Sequence, residues 1–193
     1  TRLVMKRAFV CVCLFATALA FTMPQEIVQK FVKDPTPPLL PDTFTTIFRY
    51  DPAPTDGTGS MAYSADFPNS LYAVNLTEAG MDIKMVIDYT EEPGTSYTMF
   101  NNGGQWYCAV DDDSDGPILK QNWLDGASYV GREDDGDHWE GVIEGDTMNV
   151  WTDISTGYPI KVEDTGPDGS ITTVTFDGFS TTIPQGSFTH DIC

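Results

Sequence analysis

Basic residues are scarce in this chain: 10 Lys and Arg stand against 29 Asp and Glu in 193 residues, a formal net charge of −19. That deficit excludes a nucleic-acid binder, which needs a basic footprint to displace phosphate counterions. Anionic membrane surfaces are disfavoured for the same reason. Histidine is scarcer still, with only His138 and His190. No serine elbow, H-E-x-x-H pair or glycine-rich phosphate loop accompanies them. Paired carboxylates can hydrolyse glycosides, but 29 acidic residues bring some pair close by chance, so that signal has no specificity. The expectation is a protein that is not an enzyme, with no catalytic residues and no organic cofactor. Disorder is excluded by what is present, since 40% hydrophobic and 12% aromatic residues exceed what a solvating acidic chain carries.

Long apolar runs are also lacking. The stretch from Ala8 to Leu19 falls short of the roughly 20 residues that a spanning helix needs. Preceded by Lys6 and Arg7 and ending in the small-x-small pattern Ala18-Leu19-Ala20, it reads as a secretory signal. Residues 1–20 are therefore expected to be upstream residues and signal peptide, with a secreted, extracellular product and no transmembrane anchor. Loss of Arg2, Lys6 and Arg7 makes that product more acidic still. Cysteine becomes rare too, because Cys11 and Cys13 leave with the signal and cannot form a Cys-x-Cys metal site. Cys108 and Cys193 remain, and an oxidising compartment makes a disulfide between them the expectation, with two free thiols as the alternative. A bridge between residues 108 and 193 would close a long loop, worth roughly 4 kcal/mol on the chain-entropy model.

Helical signal is confined to Phe21–Lys33, where Ile27, Val28 and Phe31 share a face; Pro35, Pro37, Pro38 and Pro41 then make an extended connector up to residue 42. From 43 to 193 the chain reads as strand and turn. Strands are expected at Thr43–Tyr50, Met61–Asp66, Ser70–Leu76, Met81–Tyr89, Tyr97–Phe100 and Gln105–Val110. Others follow at Ala127–Arg132, His138–Glu144, Met148–Asp153, Ile160–Glu163 and Ile171–Phe176. Asn102-Gly103 is a hairpin signal, and later turn signals recur about every 10 residues. No βαβ alternation appears, which sets aside a doubly wound fold. The fold class expected is mainly β: a single curved antiparallel sheet with one or few short helices.

Three features carry chemistry. Asp111, Asp113, Asp115 and Gly116 match the first half of a calcium loop. Asn122 stands where the bidentate Glu of the twelfth position belongs, Pro117 occupies the seventh and no helices flank the run, so the plain reading is a solvated acidic loop and the alternative a weak extracellular Ca2+ site. Asn75-Leu76-Thr77 is a glycosylation sequon. Aromatic and Met side chains, chiefly Met85, Met99, Trp106, Trp139 and Trp151, form either an ordinary core or the lining of an apolar ligand site on the concave face of the sheet.

The run Val150-Trp151-Thr152-Asp153-Ile154-Ser155-Thr156-Gly157-Tyr158-Pro159-Ile160-Lys161-Val162-Glu163, continued by Gly169, Val174, Phe176, Ile183-Pro184 and Phe188, resembles the strand–turn–strand signature of the LolA-like superfamily. Trp106-Tyr107-Cys108, Tyr129-Val130-Gly131 and Trp139-Glu140-Gly141 further resemble its secreted eukaryotic branch, the ependymin-related proteins. The likeness covers about residues 80–193. It implies a half-barrel sheet whose concave face holds lipid-like ligands, a mid-domain cysteine accompanied by one near the C-terminus, and an association with calcium. The expected function is a secreted, non-catalytic protein that binds a lipid or other hydrophobic molecule. The alternative is an acidic extracellular interaction or matrix protein, calcium-dependent or not, with a protein partner and no small-molecule ligand.

Overall fold

The computed structural model describes residues 34–53, 59–78, 80–114, 119–143, 146–166 and 168–193. The signal sequence and the helix expected over Phe21–Lys33 lie outside the described residues. From Pro37 to Cys193 the chain forms one compact unit. Its strands are β1 (Thr43–Asp51), β2 (Ser60–Asp66), β3 (Leu71–Glu78), β4 (Met81–Asp88), β5 (Gly94–Asn102) and β6 (Gln105–Ser114). They continue as β7 (Ser128–Glu133), β8 (Gly136–Ile143), β9 (Asp146–Thr152), β10 (Pro159–Thr165) and β11 (Ile171–Ser180). No helix occurs among the described residues.

All eleven strands join one antiparallel sheet in the order β6-β5-β4-β3-β2-β1-β11-β10-β9-β8-β7. Two meanders thus meet where the first strand pairs with the last, and the consecutive strands β6 and β7 become opposite edges. A flat sheet would hold those edges ten spacings apart, about 48 Å. The connection from Ser114 to Ser128 reaches about that far only when fully extended, yet residues 121–126 are in turns. The sheet is therefore curved, and this connection crosses its concave side.

Alternation decides what the concave side receives. Phe44, Phe48, Tyr63, Tyr72, Val74 and Ile87 form one buried cluster, with Leu119 and Trp123 of the crossing connection packed against it. Trp139, Val150 and Val162 form a second with Leu124, and Phe176 joins the two. Phe48 meets Phe176 edge-on at 5.0 Å, and Phe44 stacks on Phe179 at 4.9 Å. Leu40, whose N–H donates to the Gln121 carbonyl at 2.9 Å, is buried beside them. The concave face is lined with the protein's own chain.

The convex face is covered in part by residues 181–193. Phe188 packs on Ala73, Val86 and Met99, and the His190 ring stacks on Tyr97 at 4.0 Å. Lys84 Nζ donates to the carbonyls of Gly186 and Thr189 at 2.8 and 2.7 Å. Burial draws the Lys84 ammonium below its ordinary pKa, while Asp191 pulls the other way. Cys108 of β6 is bonded to Cys193, so the expected disulfide fastens the end of the chain over this face.

Two turns settle local register. Asn102 pairs with Gln105, and Gly103 and Gly104 have φ of 63° and 88°. The two-residue turn is therefore Gly103-Gly104, one position beyond the expected Asn102-Gly103, because both central positions require positive φ. Between β9 and β10, Asp153 Oδ1 accepts from Ser155 Oγ at 2.6 Å and from Thr156 N at 2.8 Å. These donors, the Ser155 hydroxyl first, hold its carboxyl at about 2, against an ordinary 3.8. A depressed folded pKa stabilises above the ordinary value, and the benefit disappears as pH falls through 2. Asp153→Ala is expected to cost about 1 kcal/mol or less at neutral pH, given the turn's exposure, and a smaller amount at pH 2, where half of the carboxyls are protonated. Urea midpoints at the two pH values check this.

Candidate functional site

The five residues expected to line one site are distributed over both faces. Met85 and Trp139 point to the concave side, where Trp139 is 2% exposed and donates its indole N–H to Thr152 Oγ1 at 3.0 Å. Met99, Trp106 and Trp151 lie on the convex side, and Met99 is covered by Phe188. Trp151 is flanked by the His138 ring at 4.5 Å and Lys161 Nζ at 3.8 Å, and its N–H donates to Glu133 Oε2 at 2.9 Å. That donor, with His138, holds the Glu133 carboxyl below the usual range. Four of the five side chains are thus engaged in packing. Trp106 is 41% exposed.

Beside Trp106, cross-strand pairing builds two adjacent rows on the convex face. One runs Ile47, Ala62, Asn75, Lys84 and Met99; the other runs Thr77, Asp82, Asn101 and Trp106. They border a groove of about 650 Å³, lined among others by Ile47, Ala62, Asn75, Asp82 and Trp106. That volume falls within the range of small-molecule sites. Ala62 contributes a single methyl group, which leaves depth between Ile47 and Asn75. Ile47 is 39% exposed. Thr77 Oγ1 donates to Asp82 Oδ1 at 2.9 Å, so the polar rim is already ordered. Lys84 directs its ammonium to the C-terminal segment.

Ile47 and Ala62 were not singled out by the sequence reading. A signal for Ile47 existed: Phe44, Thr46, Phe48 and Tyr50 share one side of β1, which leaves Ile47 as an apolar residue out of phase. Asn75 lies within β3, not at its end, and is exposed on the groove face.

The acidic run is not a loop where it is described. β6 continues to Ser114, so Asp111, Asp112 and Asp113 are in an extended strand. The Asp113 N–H donates to Asp111 Oδ1 at 3.1 Å. The pairing of β6 with β5 is irregular along this run, between the Ser96–Asp111 and Gly94–Ser114 pairs. Asp115 and Gly116 lie outside the described residues. Among the described residues, no group of three or more His, Cys, Asp or Glu could hold a metal ion.

No family model and no curated protein matches the chain. Among solved structures, it is similar to MucB in complex with MucA(peri), at 15% identity and a TM-score of 0.31, over 75% of this chain and 52% of that one. A Pseudomonas aeruginosa MucA/MucB complex gives 13% identity and a TM-score of 0.31, over 75% and 53%. The chain spans about half the length of these structures. With no family match, the ependymin-related likeness rests on the quoted sequence motifs alone.

Proposed function

We propose that the protein is a secreted, non-catalytic binding protein that holds an apolar molecule in the convex-face groove. The observation that carries this reading is the exposure of Trp106 and Ile47 around a 650 Å³ opening. Exposed apolar surface gathered at a concavity marks an interaction site. The lining also states a preference. Its polar rim is the Asp82 carboxylate with neutral Asn75 and Thr77, and the whole chain is strongly acidic. Neutral apolar molecules are favoured over anionic ones, because the Asp82 carboxylate repels anions while Lys84 of the lining directs its ammonium to the Gly186 and Thr189 carbonyls. The LolA-like resemblance supports an apolar cargo, and the Cys108–Cys193 bridge supports an oxidising, extracellular location. The ligand belongs in the groove and not on the concave side, which Trp123, Leu124 and the clustered rings already occupy. The reading needs no metal, cofactor or reacting side chain.

The test is native mass spectrometry of glycan-free protein mixed with a neutral apolar amine, N-phenyl-1-naphthylamine. A one-to-one complex is expected, and Trp106→Ala is expected to weaken it about tenfold. No complex, or one that Trp106→Ala leaves unchanged, overturns the proposal.

A second reading, an extracellular interaction protein, is favoured by one observation. Among the described residues β6 is an edge strand, and it exposes Tyr107 and Val110 beside a backbone open to strand addition.

A further inference from the structure

We propose that an oligosaccharide attached at Asn75 lies down in the groove and closes it, so that ligand entry depends on whether Asn75 carries sugar. This rests on the ligand reading above. Sequons are usually presented by loops, whose sugars extend into solvent. Here Asn75 and Thr77 sit in β3, which is hydrogen-bonded on both sides by β2 and β4. Both side chains are exposed on the convex face, and both belong to the groove lining. Side chains stand roughly perpendicular to a sheet, so a sugar on Asn75 Nδ2 starts inside the groove.

The neighbours of Asn75 leave it room. In register on one side is Ala62, with only a methyl group; on the other is Lys84. The long Lys84 side chain is tied to the Gly186 and Thr189 carbonyls. Trp106 and Ile47 supply exposed apolar walls, against which the C–H face of a pyranose packs as other apolar surface does. Asp82 offers carboxylate oxygens to the sugar hydroxyl and acetamide donors. The groove therefore matches an amphipathic sugar: apolar walls, an acceptor rim and a drug-sized volume.

The modification itself balances as ordinary glycosyl transfer. Asn75 Nδ2 forms a bond to C1 of an oligosaccharide carried on a lipid pyrophosphate, the co-reactant of the secretory route. The C1–O bond breaks, the pyrophosphate leaves with the electron pair, and the amide loses one proton. Nothing is oxidised or reduced.

Trp106 is the exposed member of the four tryptophans, so acrylamide quenching of tryptophan emission reports mainly on it. The experiment compares protein secreted from a glycosylating host with Asn75→Gln and Thr77→Ala, which abolish the sequon in two different ways. Intact mass gives occupancy, acrylamide gives access to Trp106, and N-phenyl-1-naphthylamine gives access to the groove. The glycoform is expected to show quenching about threefold lower than both variants, and probe binding about tenfold weaker. In a Trp106→Phe background the quenching difference disappears. Asn75 and Thr77 line the groove themselves, so probe binding is referenced to the folded glycoprotein trimmed enzymatically, which leaves Thr77 and the rest of the lining unsubstituted. An unmodified Asn75 in the secreted protein overturns the inference, as does a glycan that changes neither quenching nor probe binding. A quenching difference without any probe binding to sugar-free protein retains the glycan inference and removes the ligand reading. Equal probe binding and equal quenching in both forms do the reverse.

Discussion

Cys193→Ser is expected to lower stability by about 3–5 kcal/mol and to release the C-terminal segment from the convex face. The bridge joins residues 85 apart, so its loss restores a large loop's worth of freedom to the unfolded chain. The native state suffers too. Residues 181–193 include no strand, and three attachments hold their far end: the disulfide, the three Lys84 contacts and the His190–Tyr97 stack. Without the first, Phe188 can lift from Ala73, Val86 and Met99 and expose them to water. For a domain of this size the unfolding temperature is expected to fall by about 10 °C. Urea unfolding of the oxidised protein and of reduced, alkylated protein measures the same quantity. A difference below about 1 kcal/mol would show that the segment does not depend on its bridge.

Trp139→Ala is expected to cost a similar 3–5 kcal/mol, and for a different reason. Its ring is buried among Leu124, Val150 and the edge of Tyr129, whose ring centre is 5.2 Å away. Truncation leaves a cavity that the rigid strands β8 and β9 cannot collapse, and it removes the donor to Thr152 Oγ1. Trp139→Phe keeps most of the volume and loses the N–H, so it is expected to cost about 1–2 kcal/mol. Trp106→Ala removes a larger fraction of exposed surface and is expected to change stability by about 0.5 kcal/mol or less. Two tryptophans that look alike in sequence therefore separate by assay, one through unfolding and the other through binding.

Much of the fold was legible in the sequence, because strand existence is a local property. Ile83, Met85 and Ile87 alternate with Asp82, Lys84 and Asp88, and the structure has a strand from Met81 to Asp88. Every one of the eleven expected strands has a counterpart. Pairing of β1 with β11 was not legible, since it joins Phe48 to Phe176 across most of the chain and no local pattern encodes that. The crossing connection was also missed: Trp123 and Leu124 lie outside any periodic run, yet they cover the concave face.

The candidate site was less legible, and strand parity explains it. A side chain's face depends on every turn and bulge that sets its register. Register shifts between Thr45 and Ile47, and between Tyr129 and Gly131, are invisible to a search for aromatic residues. So is the one-residue difference at Gly103-Gly104. Met85 and Met99 sit on neighbouring strands and share the same chemistry, yet they face opposite ways. The groove itself needs Ile47, Ala62, Asn75 and Trp106 from four strands, so it exists only once the sheet is assembled.

Binding in the convex-face groove is tested most directly by titrating N-phenyl-1-naphthylamine into the Asn75→Gln protein and following probe emission alongside Trp106 quenching. Saturation at one probe per chain is expected, shifted to about tenfold higher probe concentration in Trp106→Ala and unshifted in Trp139→Phe. Saturation that is unshifted in Trp106→Ala and fails in folded Trp139→Phe would contradict the groove and return the ligand to the concave face.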